Sequence, residues 1–121
     1  MRVLLLDSHI RVRHALARWL QATTDIDVVG GAASRRQGVE LALAVRPDVV
    51  VMELRFPDGS GIEACQELRM QLPELRVIFL TSSLDPSDCR LALDAGAKAC
   101  LLKQLETGPL LDAIRGDGHN A

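Results

Sequence analysis

Four runs of apolar residues punctuate the chain, at residues 3–6, 49–52, 77–80 and 99–102. Each is four residues long and composed mostly of β-branched residues or Leu. The runs are continuous rather than alternating, which predicts strands covered on both faces, as in a parallel sheet. A weaker run, Ile26-Asp27-Val28-Val29, alternates at its start and predicts a strand nearer an edge.

Helical periodicity fills the gaps. Val12, Leu16, Trp19 and Leu20 follow the first run at i, i+4, i+7 and i+8. A second pattern through Val39, Ala42 and Leu43 is closed by Pro47, because a helix rarely continues through the residue before proline. A third follows Gly59-Ser60-Gly61, with Ser60 as candidate N-cap and Cys65, Leu68 and Leu72 on one face. The fourth starts near Pro86-Ser87, carries Cys89, Ala92 and Leu93, and stops at Gly96, a typical residue just past a helix end. Thr107-Gly108-Pro109 opens the fifth, with Leu110, Leu111 and Ile114 inward. Five strand–helix units with right-handed crossovers make a doubly wound α/β protein. With five strands and no GxGxxG after the first, the expected order is the flavodoxin-like 2-1-3-4-5.

The chain has 121 residues, 14 Lys+Arg against 16 Asp+Glu, and is 48% hydrophobic, which fits one ordered globular domain. Residues 1–116 read as that domain, and the polar, Gly-rich residues 117–121 as a tail or the start of a linker. The balanced charge excludes a strongly basic nucleic-acid platform. No apolar run approaches the roughly 20 residues that span a bilayer, and the N-terminal run falls short of a secretory signal's roughly 7–15. The expected setting is therefore cytoplasmic. Cys65, Cys89 and Cys100 are odd in number and lack a CxxC pair, which predicts small buried hydrophobes rather than a disulfide framework.

In such sheets chemistry gathers at the carboxyl ends of the strands. Those ends carry Asp7 and Ser8, then Glu53, then Thr81 and Ser82, then Lys103. Singly, each fits a solvated loop residue; together, two carboxylates, hydroxyls and an ammonium on one sheet edge point to a site.

These residues carry a resemblance. Val3-Leu4-Leu5-Leu6-Asp7, Arg46-Pro47-Asp48-Val49-Val50-Val51-Met52, Arg55-Phe56-Pro57-Asp58-Gly59-Ser60-Gly61, Leu80-Thr81-Ser82, Ala95-Gly96-Ala97 and Leu101-Leu102-Lys103 resemble a response-regulator receiver domain over nearly the whole chain. The resemblance is greatest to receivers that precede helix-turn-helix DNA-binding domains in bacterial transcription factors. It implies a phosphorylation switch. An Asp after the third strand accepts a phosphoryl group from a sensor kinase, and two acids after the first strand help to hold Mg²⁺. A Ser/Thr and a Lys contact the phosphoryl oxygens, and an aromatic residue on the fifth strand reports the change.

The sequence departs from that pattern at three positions: Glu53 stands at the phosphoacceptor position, Ser8 at the second acid and Cys100 at the aromatic switch. Asp7, Thr81 and Lys103 are retained, and Gln104 replaces the Pro that often follows the Lys. Ser8 removes an anionic ligand, so Mg²⁺ is expected to bind weakly or not at all, through Asp7, Glu53 and the Arg55 backbone. Glu53 carries its carboxylate one methylene further out, and a misplacement of about 1 Å can cost a hundredfold in transfer rate. Its carboxylate is instead expected to reach toward Lys103 and Thr81, in a permanent Asp7/Glu53–Lys103 network. That network is either a locked active-like state or a purely structural remnant. Cys100 lacks the volume to act as a lever, and a redox role would require a lowered pKa that sequence does not predict.

Other candidates carry less. Gly30-Gly31-Ala32-Ala33-Ser34 follows a strand but matches no phosphate loop. His9 and His14 lie five apart and make no i, i+4 metal pair, and Arg11, Arg13 and Arg18 read as a solvated helix face. Trp19 reads as packing. The expected function is a non-enzymatic, atypical receiver without a resident cofactor. It would control an output, transcription, largely independently of aspartyl phosphorylation, by dimerisation or by binding a partner or ligand. DNA would be contacted only through an output domain outside this chain, no membrane is expected to be involved, and a sensor kinase is a doubtful partner. The working surface is expected on the fourth helix, fifth strand and fifth helix, and the resemblance implies a homodimer through that face or through the first and fifth helices. The alternatives are a phosphoryl acceptor with a non-standard site and a small flavodoxin-like enzyme or flavin carrier; Asp7-Ser8-His9 in place of an anion-cradling loop argues against the latter.

Overall fold

Successive side chains on a strand point to opposite faces, so each continuous apolar run feeds two cores at once. The computed structural model describes residues 1–82, 85–103 and 108–116. Its order is β1 (Arg2–Leu6), α1 (Ile10–Gln21), β2 (Asp27–Ala32), α2 (Arg35–Val45), β3 (Val49–Glu53), β4 (Arg55–Phe56), β5 (Gly59–Ser60), α3 (Gly61–Gln71), β6 (Arg76–Thr81), α4 (Pro86–Asp94), β7 (Ala99–Leu102) and α5 (Gly108–Arg115). Val3, Leu5, Val49, Val51, Ile78 and Leu80 face Leu20 of α1 and Leu110 and Ile114 of α5. Leu4, Leu6, Val50, Met52, Val77 and Phe79 face Val39 of α2, Leu68 of α3 and Ala92 of α4. The main sheet is parallel in the order β2-β1-β3-β6-β7, the flavodoxin-like order expected from the sequence.

Local chemistry sets the boundaries. The Ser60 hydroxyl accepts from the N–H groups of Ile62 and Glu63 at the start of α3, and the Asp85 carboxylate caps α4 through Ser87 N–H. Arg46, pushed out of helical geometry before Pro47, ends α2 at φ 50°. Gly96 follows α4 at φ +105°, where a side chain would be strained. Gly61 is required by closeness: a Cβ there would fall on the Glu53 carbonyl oxygen and 2.9 Å from that of Leu54. Its small size thus lets α3 begin directly against the end of β3.

Four sequence readings need correction. Gly30 and Gly31 are inside β2, paired with Leu4 and Leu5, rather than in a loop after it. The irregular register between Val3 and Leu4 lets the strand absorb the extra residue Val29. Arg13 is not part of a solvated face, because its guanidinium folds back to donate to the Asp7 carbonyl at 2.5 Å. Leu93 of α4 lies 47% exposed. The buried-hydrophobe reading holds for Cys65, whose thiol burial pushes up to about 11. It fails for Cys89 and Cys100, which are half-buried and joined in a disulfide from α4 to β7. Gln104, Thr107 and residues 117–121 lie outside the described residues. Among the described residues, no helix is long and apolar enough to cross a membrane.

Candidate functional site

Three strands deliver the site. Asp7 directly follows β1, held there by its N–H on the Ala32 carbonyl at 3.0 Å. Glu53 is the last residue of β3, the neighbouring strand. Lys103 directly follows β7, with its N–H on the Thr81 carbonyl at 2.8 Å. β7 lies two strands from β3, about 10 Å at ordinary sheet spacing, a gap that the long Lys103 side chain bridges. Thr81, at the end of β6, lies half-buried between them.

The carboxylates are almost wholly enclosed, Asp7 and Glu53 each being 4% exposed. Lys103 Nζ lies 2.7 Å from Asp7 Oδ2 and 3.7 Å from Glu53 Oε1. Asp7 Oδ1 accepts from the His9 N–H at 2.8 Å and faces His9 Nδ1 at 3.0 Å. Glu53 turns toward Ser8: Oε2 accepts from the hydroxyl at 2.8 Å, and Oε1 lies 3.2 Å from both the hydroxyl oxygen and the backbone nitrogen. All four carboxylate oxygens are therefore engaged by donors of the chain itself.

Sequence reasoning brings Asp7, Ser8, Glu53 and Lys103 to one place, and the structure does the same. The network differs from the expected one in detail, since the short ion pair of Lys103 is with Asp7 and the near partner of Glu53 is Ser8. Arg55 opens β4 beside the site, and its guanidinium pairs with Asp88 of α4 at 2.9 Å. Cys100 lies on β7, opposite Phe79 of β6. The member that the sequence reading missed is His9. His9 makes no metal pair with His14, but it lies two residues beyond a strand-end carboxylate, a position from which a residue reaches back readily. Asp7, His9 and Glu53 each offer one ligand-type atom within a 4.8 Å cluster.

The two acids are pushed apart in acidity. Burial raises Asp7, but hydrogen bonds from Glu53, Lys103 and the His9 N–H outweigh it and hold Asp7 below the ordinary carboxylate range. Burial raises Glu53 as well, the neighbouring Asp7 raises it further, and the Ser8 donors offset only part of this. Glu53 is thus the acid that keeps its proton longer. A carboxyl raised on folding stabilises the fold while protonated, and that contribution is lost as pH rises through its folded pKa. Asp7 has the opposite sign: its contribution is present above the ordinary range and is lost as pH falls. Glu53→Gln removes the first effect, keeps an acceptor for Ser8, and keeps in its amide N–H a donor for Asp7 in place of the Glu53 proton. Urea denaturation is expected to show the variant near wild type at pH 4 and about 1 kcal/mol more stable at pH 8. A difference that does not grow with pH contradicts this assignment.

The comparisons with known proteins agree with this fold. The model of the response regulator receiver domain matches residues 3–115. The chain is similar to the transcriptional regulatory protein LiaR of Bacillus subtilis, 40% identical over 114 residues, which cover 94% of this chain and 54% of that protein. It is 34% identical over 119 residues to the response regulator protein VraR of Staphylococcus saprophyticus, covering 98% of this chain and 57% of that protein. The chain thus spans about half the length of these relatives. Among solved structures, it superposes on a LuxR-family two-component response regulator from Aurantimonas with a TM-score of 0.89 and 30% identity, over 95% of this chain and 82% of that one. The signal receiver domain of the NarL regulator from Mycobacterium tuberculosis gives a TM-score of 0.86 and 28% identity, over 95% and 96%. The chain belongs to the response regulator receiver domain family.

Proposed function

We propose that this chain is an atypical receiver module of a bacterial response regulator, one that controls transcription largely without aspartyl phosphorylation. The observation that carries the reading is the enclosed network itself. The ammonium of Lys103 rests on Asp7 at 2.7 Å, and Glu53, at the phosphoacceptor position, is tied to Ser8. Phosphoryl transfer depends on positioning an acceptor oxygen and neutralising developing charge. Here the acceptor-position oxygens are already held by donors, and the cation is already paired.

Mg²⁺ does not fit this donor set. It prefers carboxylate oxygens and waters in a strict octahedron. The residues available are a hydroxyl in place of the second acid, two carboxylates committed to internal donors and an ammonium against Asp7. Asp7, Thr81 and Lys103 then serve to hold the strand ends in one arrangement, and no step of the proposed mechanism passes through a metal.

The proposed output surface is formed by α4, β7 and α5, working through a homodimer. Leu91 and Leu93 of α4 are 55% and 47% exposed, flanking the buried Ala92 on either side of the helix. The names of LiaR and VraR describe a transcriptional regulatory protein and a response regulator. By analogy, DNA contact belongs to a segment outside these 121 residues, and the setting is cytoplasmic. Sedimentation of the chain, with and without acetyl phosphate and Mg²⁺, tests the reading. The fraction of dimer is expected to depend on protein concentration and to stay unchanged on addition of the phosphodonor. A rise in dimer with the phosphodonor overturns phosphorylation-independent control.

A further inference from the structure

The disulfide between Cys89 and Cys100 lies outside the carboxylate–lysine network, yet is connected to it at both ends. Cys100 sits on β7, three residues before Lys103. Cys89 sits in the first half of α4, directly after Asp88, which pairs with Arg55 beside the site. The Cα atoms of the two cysteines are 5.6 Å apart, within the ordinary range for a bridge. Of α4, only Ala92 is fully buried, while Leu91 and Leu93 face outward. A helix with so little buried surface is drawn from the weakly held part of a fold, and the bridge is its covalent tie to the sheet.

We propose that Cys89 and Cys100 form a reversible thiol–disulfide modification site whose state sets how firmly the first half of α4 is held against β7. Both residues are half-buried, so small thiol reagents can reach them on modest opening. Cys65 is a built-in contrast: it is fully buried, with its thiol pushed up to about 11, and so unreactive. The oxidant is a low-molecular-weight disulfide. One protein thiolate attacks it, forming a mixed disulfide and releasing one small thiol. The second protein thiolate then displaces the other small thiol and closes the bridge. Two protein thiols are oxidised, and one small disulfide is reduced to two thiols. Where thiols are otherwise kept reduced, a bridge of this kind is regulatory or catalytic rather than structural. The inference rests on the reading of α4, β7 and α5 as the output surface, which would then respond to thiol state.

The test uses the whole chain, reduced with dithiothreitol and then reoxidised with oxidised glutathione. Native alkylation with peptide mapping reads the thiols, and amide hydrogen exchange reads α4. Reduction is expected to expose Cys89 and Cys100, but not Cys65, to alkylation. It is also expected to speed exchange in the first half of α4 about tenfold while α1 stays unchanged. Reoxidation is expected to reverse both effects. Cys89→Ser and Cys100→Ser, both at half-buried positions, are each expected to exchange like the reduced wild type in either condition. The inference is overturned if both cysteines remain alkylatable after oxidised glutathione, or if the bridge opens and closes with no change in α4. Neither readout measures phosphorylation or dimerisation, so failure here is distinguishable from failure of the proposed function.

Discussion

Replacing Lys103 by Met is expected to lower the stability of the folded chain by about 3 kcal/mol at neutral pH. The side chains of Asp7 and Glu53 are only 6% and 5% exposed, and Lys103 is the ammonium between them. Methionine fills similar space but leaves two enclosed carboxylates facing each other without a cation. Desolvation and mutual repulsion then act together, and removing one partner of a buried pair is costlier than never having built the pair. The loss should shrink in Lys103→Met/Glu53→Gln, because one of the two negative charges is gone, and recovery of about half the loss is expected. It should also shrink toward pH 4, where Glu53, the acid raised by burial and by Asp7, takes up its proton first. Urea denaturation of the four chains at two pH values measures all of this. A loss within about 0.5 kcal/mol, the range of an ordinary surface change, contradicts the network as described.

The second large effect is a gain. Ser8→Asp/Glu53→Asp is expected to bind Mg²⁺ at least about tenfold more tightly than the wild type, since each added anionic ligand is worth a factor of ten or more at about 1.4 kcal/mol per factor. The first substitution supplies the missing acid beside Asp7. It also removes the hydroxyl that now engages both oxygens of Glu53 at 3.2 and 2.8 Å. The second shortens the carboxylate by one methylene. Calorimetric titration of the two chains at one ionic strength reads the difference. Equal affinities would place the weakness of the site elsewhere than at residues 8 and 53.

The sheet was legible because each strand is a continuous apolar run that supplies both cores, as the alternation of Leu4 and Leu6 against Val3 and Leu5 shows. The ends of those runs also placed Asp7, Glu53 and Lys103 on one edge. Features that escaped the sequence reading are those in which chemistry and periodicity part company. The β4–β5 hairpin has two residues in each strand, too few for any alternation to register. Gly30 and Gly31 have weak strand propensity, and pairing with Leu4 and Leu5 overrides it. Arg13 and His9 reach back from α1 and its start to the end of β1, a long-side-chain choice that spacing along a helix does not encode. The Cys89–Cys100 bridge follows from topology: α4 leads directly into β7, and the intervening turn brings its first half alongside that strand.

In the proposed mechanism the chain's own donors close the site around Glu53. The most direct test of that closure is the intact mass of the wild-type chain after incubation with acetyl phosphate and Mg²⁺, run beside Ser8→Asp/Glu53→Asp. No added phosphoryl group is expected on the wild type, and one is expected on the double variant. A wild-type chain that gains a phosphoryl group at a comparable rate overturns closure of the site and makes this receiver a phosphorylation switch with Glu53 or a neighbouring residue as its acceptor.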